Sequence, residues 1–107
     1  MLRLIYIGVR SEAQNPNITA FELTLSRLGD WARLNPYNWY VWTDRSAQDV
    51  FEELRIHLYP NDSIMVAPIV PDEVRGRVPT WLVNWVEEKG TGPKSLLTKP
   101  KGLLPKN

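Results

Sequence analysis

Two segments of this chain are apolar on both sides of the strand each would form, and that doubled pattern restricts the fold more than any other feature. In Leu2 to Val9 (LRLIYIGV) only Arg3 is charged, and the Leu, Ile, Tyr and Val content suits a central strand. In Trp39-Tyr40-Val41-Trp42, strand alternation sends Trp39 and Val41 to one face and Tyr40 and Trp42 to the other. Helices lying on such a sheet cover one face only. A second apolar face requires another cover: a second copy of the chain, a helix carrying Trp81, or both.

The remaining pattern supplies the other elements. Ile18, Phe21, Leu25 and Leu28 recur at three- and four-residue spacing after Asn15-Pro16, which predicts a helix capped near Asn15 with Pro16 in its first turn and Gly29 at its end. Gly29 to Asp44 holds three of the five tryptophans and two of the four tyrosines. Within it, Trp31 to Leu34 and Trp39 to Thr43 read as strands joined by the turn Asn35-Pro36-Tyr37-Asn38, a β-hairpin.

Ser46 is the expected cap of a second helix with Asp49 as capping-box partner, and Val50, Phe51, Leu54 and Leu58 form its apolar stripe. Pro60-Asn61-Asp62 ends it. Ser63 to Val70 is a further strand, and Pro68, lacking the ladder donor, assigns it to a sheet edge or a bulge. Pro71 to Pro79 reads as a loop, and Trp81, Leu82, Trp85 and Val86 mark a short third helix with both tryptophans on its apolar side.

This order predicts an α+β protein: a ferredoxin-like βαββαβ antiparallel sheet with two helices on one face, an added short C-terminal helix and a basic tail. A chain of 107 residues suits one domain, taken as residues 1–90 with a flexible tail at 91–107. Through Gly90 there are nine basic and twelve acidic residues; beyond it Lys94, Lys99, Lys101 and Lys106 face no acid. A mildly acidic body thus carries a basic tail suited to an acidic partner, a phosphate backbone or a neighbouring copy. The tail repeats K-x-L-L-x-K (KSLLTK, KGLLPK). Its four leucines cannot offset the entropy of ordering it alone. Leu96 and Leu97 are therefore expected to dock as a short strand on a partner copy.

No cysteine is present, which excludes disulfides and thiolate chemistry and fits a reducing, cytoplasmic compartment. No apolar run reaches the roughly 18 residues of a spanning helix. His57 is the only histidine, read as a surface residue late in the second helix. No nucleophile-elbow serine and no Gly-rich phosphate loop occurs. No metal, cofactor or catalytic residue is therefore expected. Arg33, Arg75, Arg77, Lys94, Lys99 and Lys101 are the candidate phosphate contacts, and Trp39, Tyr40, Val41, Trp42, Leu96 and Leu97 the candidate dimer or interaction face.

Leu28, Gly29 and Trp31, then Trp39, Val41, Thr43 and Asp44, then Ser46 and Asn61-Asp62 give the span from Arg3 to Gly90 a resemblance to small SinR-like proteins. These are similar in turn to the CRISPR adaptation protein that partners the integrase. The resemblance implies a ferredoxin-like fold and a homodimer in which sheet faces pack together. It also implies an aspartate at the end of the first strand for metal-dependent nucleic-acid cleavage. Here Ile5 to Arg10 contains no carboxylate, and Glu12 is the nearest. A hard divalent metal requires carboxylate oxygens. The expectation is a non-enzymatic homodimeric interaction or assembly module, with a nucleic-acid-binding protein or a degenerate metal-dependent ribonuclease as the alternative.

Overall fold

The computed structural model describes residues 2–13, 16–70 and 76–89 and the backbone of Leu97–Thr98. It comprises two compact units, Met1–Ile69 and Val70–Asn107.

The first unit runs β1 (Arg3–Arg10), α1 (Ile18–Leu28), β2 (Asp30–Asn35), β3 (Asn38–Thr43), α2 (Ala47–Arg55) and β4 (Ser63–Ile69). Its strands form an antiparallel sheet in the order β2-β3-β1-β4, compatible with a ferredoxin-like arrangement. β1 is central, as its apolar content predicts. β4 lies at the edge, where Pro68 needs no partner for its missing N–H. Ile5 and Ile7 from β1 and Trp39 and Val41 from β3 pack with Phe21, Leu25 and Leu28 of α1 and Val50 and Leu54 of α2 in one buried cluster. Both helices therefore lie on the same sheet face, and burying each of these side chains contributes about 1.5 to 3 kcal/mol.

Local chemistry sets the boundaries. In the hairpin, Asn35 Oδ1 accepts from the Tyr37 N–H at 3.1 Å and from Asn38 Nδ2 at 2.6 Å, an Asx-type closure of the Pro36-Tyr37 turn. The register shifts between Arg33 and Asn35, which leaves Leu34 as an inserted residue. α1 begins later than expected: Asn17 occupies the cap position without a side-chain capping bond, Pro16 precedes it, and Asn15 lies outside the described residues. The Asn17 amide donates instead to the His57 carbonyl at 3.4 Å. Ser46 caps α2 as predicted, accepting from the Asp49 N–H at 3.1 Å. The Asp49 carboxylate lies 3.6 Å from Arg45 Nε, an exposed pair of small energetic weight.

Gly29 ends α1 with φ of 165°, an extended conformation open to any residue. Its requirement is steric: a Cβ here would meet the Trp42 carbonyl oxygen in β3. The Thr43 hydroxyl donates to the Leu28 carbonyl at 2.7 Å in a buried contact, satisfying one of the last carbonyls of the helix. His57 is not in α2, which ends at Arg55. It sits in the following turn, half-buried, with Nε2 2.9 Å from the buried Thr24 hydroxyl. The surface-helix reading of His57 is corrected accordingly; the chain turns at Ile56 and folds the imidazole back onto α1.

The second unit contains β5 (Gly76–Arg77), α3 (Thr80–Glu88) and β6 (Leu97–Thr98), with β5 and β6 paired in parallel. Gly76-Arg77, expected in a loop, is thus a strand joined to β6 through a helical crossover. Leu82, Val83 and Val86 are buried, whereas Trp81 is 46% exposed. The predicted stripe with both tryptophans inside is replaced by one centred on Val83, and Trp85 instead carries Lys89 Nζ 5.2 Å above its ring, a cation–π contact.

Candidate functional site

The register of the four strands determines what shares the face opposite α1 and α2. One row across the sheet is Asp30, Trp42, Leu4 and Ile69; the next is Ala32, Tyr40, Tyr6 and Ala67. Asn38, Gly8 and Met65 follow, then Arg10 and Ser63. The face therefore grades from apolar through aromatic to polar along the strands. Within its own unit no helix lies over it. Leu4 and Ala32 are buried, Tyr6, Tyr40 and Trp42 are half-buried, and Met65 is 65% exposed.

Tyr6 and Tyr40 are cross-strand partners with ring centroids 5.6 Å apart at 54°, and Ala32 and Ala67 flank them with minimal bulk. The Tyr6 hydroxyl donates to Asn38 Oδ1. Asn38 in turn donates to Asn35, so the ring orientation on the central strand is tied to the hairpin turn. The phenol end of Tyr6 lies over Gly8: a Cβ on Gly8 would stand 2.5 Å from the Tyr6 oxygen.

Burial, and secondarily the neighbouring Tyr6, raises the Tyr40 pKa above its ordinary value of 10.0. The unfolded chain releases this proton first, so Tyr40 contributes stability that is complete below about pH 10 and is lost as pH rises through its folded pKa. Phenolate absorbance at 295 nm is expected to show a component that titrates above the ordinary tyrosine value. Tyr40→Phe is expected to remove that component and flatten the alkaline decline in stability; an unchanged titration curve would contradict the placement.

The predicted interaction residues divide between the two faces. Tyr40 and Trp42 lie on the second face. Trp39 and Val41 are 1% and 0% exposed and belong to the core beneath the helices, so they present no surface to a partner. Arg33 is half-buried on the helix side, with Nη1 3.2 Å from Glu22 Oε2. The same carboxylate oxygen accepts from Trp39 Nε1 at 3.0 Å, so Glu22 occupies the hairpin arginine expected to contact phosphate. Arg77 is exposed in β5. Leu97 enters through its backbone, which pairs with Gly76 of the same chain. Arg75, Leu96, Lys94, Lys99 and Lys101 lie outside the described residues.

At the end of β1, Glu12 lies 3.4 Å from Arg10, and among the described residues no group of three His, Asp or Glu side chains converges. No helix among the described residues is long and apolar enough to cross a membrane. Tyr6, Gly8, Asn38 and Met65 were not singled out from the sequence, although the alternation that placed Tyr40 and Trp42 together also places Tyr6 beside them once β1 and β3 are paired. Glu22 carried no such signal. Fold and site define a small α+β protein with a four-stranded antiparallel sheet and a graded aromatic face. No protein-family model, curated protein or solved structure matches this chain significantly.

Proposed function

We propose that this chain is a non-enzymatic interaction module of ferredoxin-like fold that pairs with a second copy through the face bearing Tyr6, Tyr40 and Trp42. One observation carries the reading: Tyr6, Tyr40, Trp42 and Ile69, each only half-buried, and Met65, 65% exposed, share a face that no helix of their own unit covers. Apolar faces of this kind are closed by a partner more often than they are left to water. The interface would have an aromatic centre and, at Arg10, Asp30 and Ser63, a polar margin, the usual distribution for protein contacts.

Sedimentation equilibrium tests this directly. The wild-type chain is expected at twice its 12.4 kDa mass. Trp42→Arg at the centre and Met65→Arg on the exposed flank are each expected to weaken the dimer at least about tenfold, a loss of about 1.4 kcal/mol or more. Met65 is largely exposed, so its replacement leaves the fold intact. A monomer at every concentration, or a dimer indifferent to both changes, would refute the proposal.

A further inference from the structure

Beyond self-association, the polar end of the same face contains a hollow of about 330 Å³. Tyr6, Gly8, Arg10, Asn38, Ser63 and Met65 line it. It is an open depression in the sheet surface, with a volume at the lower end of the range for small-molecule sites, roughly 300 to 1,000 Å³. Gly8 contributes no side chain to it, and the Tyr6 phenol stands in the space that a Cβ there would take.

The walls are chemically distinct. The Tyr6 ring is held over Gly8 by its hydroxyl bond to Asn38, itself held by Asn35, so an aromatic surface is fixed in place before any ligand arrives. Met65 lines the same hollow and is largely exposed, and its thioether is suited to contact with aromatic rings. Ser63 and Asn38 bring hydroxyl and amide groups to the rim. Arg10 supplies a guanidinium whose one ion pair, to Glu12, spans 3.4 Å between side chains 79% and 65% exposed. A pair this exposed is worth little and is readily exchanged for a better anion.

We infer that this hollow binds a small planar aromatic anion, the ring between Tyr6 and Met65 and the acidic group on Arg10. An aromatic carboxylate and a nucleoside monophosphate share that chemistry. Among the described residues Arg10 is the one cation lining the hollow, which matches a ligand carrying a single charged group.

The test is amide chemical-shift mapping of the full chain titrated with indole-3-carboxylate and, separately, with AMP. At least one probe is expected to shift amides confined to residues 6–10, 38 and 63–65. Arg10→Gln is expected to weaken the response at least about fivefold. Glu12→Gln, which frees Arg10, is expected to strengthen it, and Tyr6→Phe, which keeps the ring, to change it less than Tyr6→Leu. Whichever probe binds more tightly identifies the source. Absence of localised shifts with both probes at millimolar concentration, or shifts indifferent to Arg10→Gln, would overturn the inference. So would a single-stranded octanucleotide binding more than tenfold more tightly than AMP, because the ligand would then be a polymer. Arg10→Gln lies on the surface and leaves folding intact. Tyr6, Arg10, Ser63 and Met65 also belong to the proposed dimer face and its margin, so ligand and partner copy exclude one another there. The titrations are run at concentrations where the chain is monomeric, and dimer mass, measured separately, distinguishes failure of this inference from failure of the self-association proposal.

Discussion

Trp39→Ala is expected to lower the unfolding free energy by about 3 to 5 kcal/mol, the range for truncating a buried tryptophan, whereas Trp42→Ala three residues away is expected to cost about 1 to 2 kcal/mol in the isolated protomer. Trp39 is 1% exposed, lies 5.5 Å from the Phe21 ring and donates its indole N–H to Glu22. Its removal opens a cavity at the junction of α1 and β3 and releases the hairpin from the helix. Trp39→Phe retains most of the ring and loses that hydrogen bond, so about 1 to 2 kcal/mol is expected from the polar term. Urea unfolding of the three variants, under conditions where the protein is monomeric, measures the series. Equal costs for Trp39→Ala and Trp42→Ala would show that the two faces of β3 are not assigned as described.

The second large effect concerns Gly29. Its φ is extended, so alanine would carry no conformational penalty, and a purely local view predicts a neutral or slightly stabilising change. The packing predicts the opposite. The added Cβ would be driven into the Trp42 carbonyl, with the carbonyl carbon at 3.0 Å and the Thr43 Cα at 3.3 Å. All three atoms are backbone of a paired strand and have little freedom to retreat. Gly29→Ala is expected to cost about 2 to 3 kcal/mol, the overpacking range, and to lower Tm by roughly 10 to 20 °C for a domain of this size. Gly8→Ala is the matched comparison, because its Cβ would meet the side-chain end of Tyr6 and not paired backbone; the phenol can be displaced at the loss of its bond to Asn38, and the change is expected to cost well under half as much. Differential scanning calorimetry of the two variants decides it; comparable melting temperatures would mean that the β3 backbone yields and that Gly29 is only a helix terminator.

Much of the frame was legible because it depends on local chemistry. The stripe from Phe21 to Leu28, the Ser46 cap, the Asn-Pro-Tyr-Asn turn and the edge position implied by Pro68 each follow from spacing or from a residue's own hydrogen-bonding capacity. The misreadings occurred where a residue's role is set by something distant in sequence. Asn17 and His57 are 40 residues apart, and Thr24 and His57 are 33 apart; no periodicity links them. Glu22 looks like a solvated helix residue until β2 and β3 bring Arg33 and Trp39 to it. Trp81 fits a helical stripe as well as Val83 does, and the choice between them is made by what the helix packs against.

The sequence alone determined that a two-faced sheet must exist, because alternation in Trp39 to Trp42 and the unbroken apolar run in β1 leave no all-polar side. Which ring goes where was decided only by tertiary structure. α1 and α2 claim the face of Trp39 and Val41, and the pairing of β1 with β3 sets Tyr6 against Tyr40 and Gly8 beside Asn38 on the other. The physical reason is register. A strand's own sequence fixes the alternation of its side chains, but a shift of one residue against its neighbour exchanges the faces, and only the assembled core selects one of them.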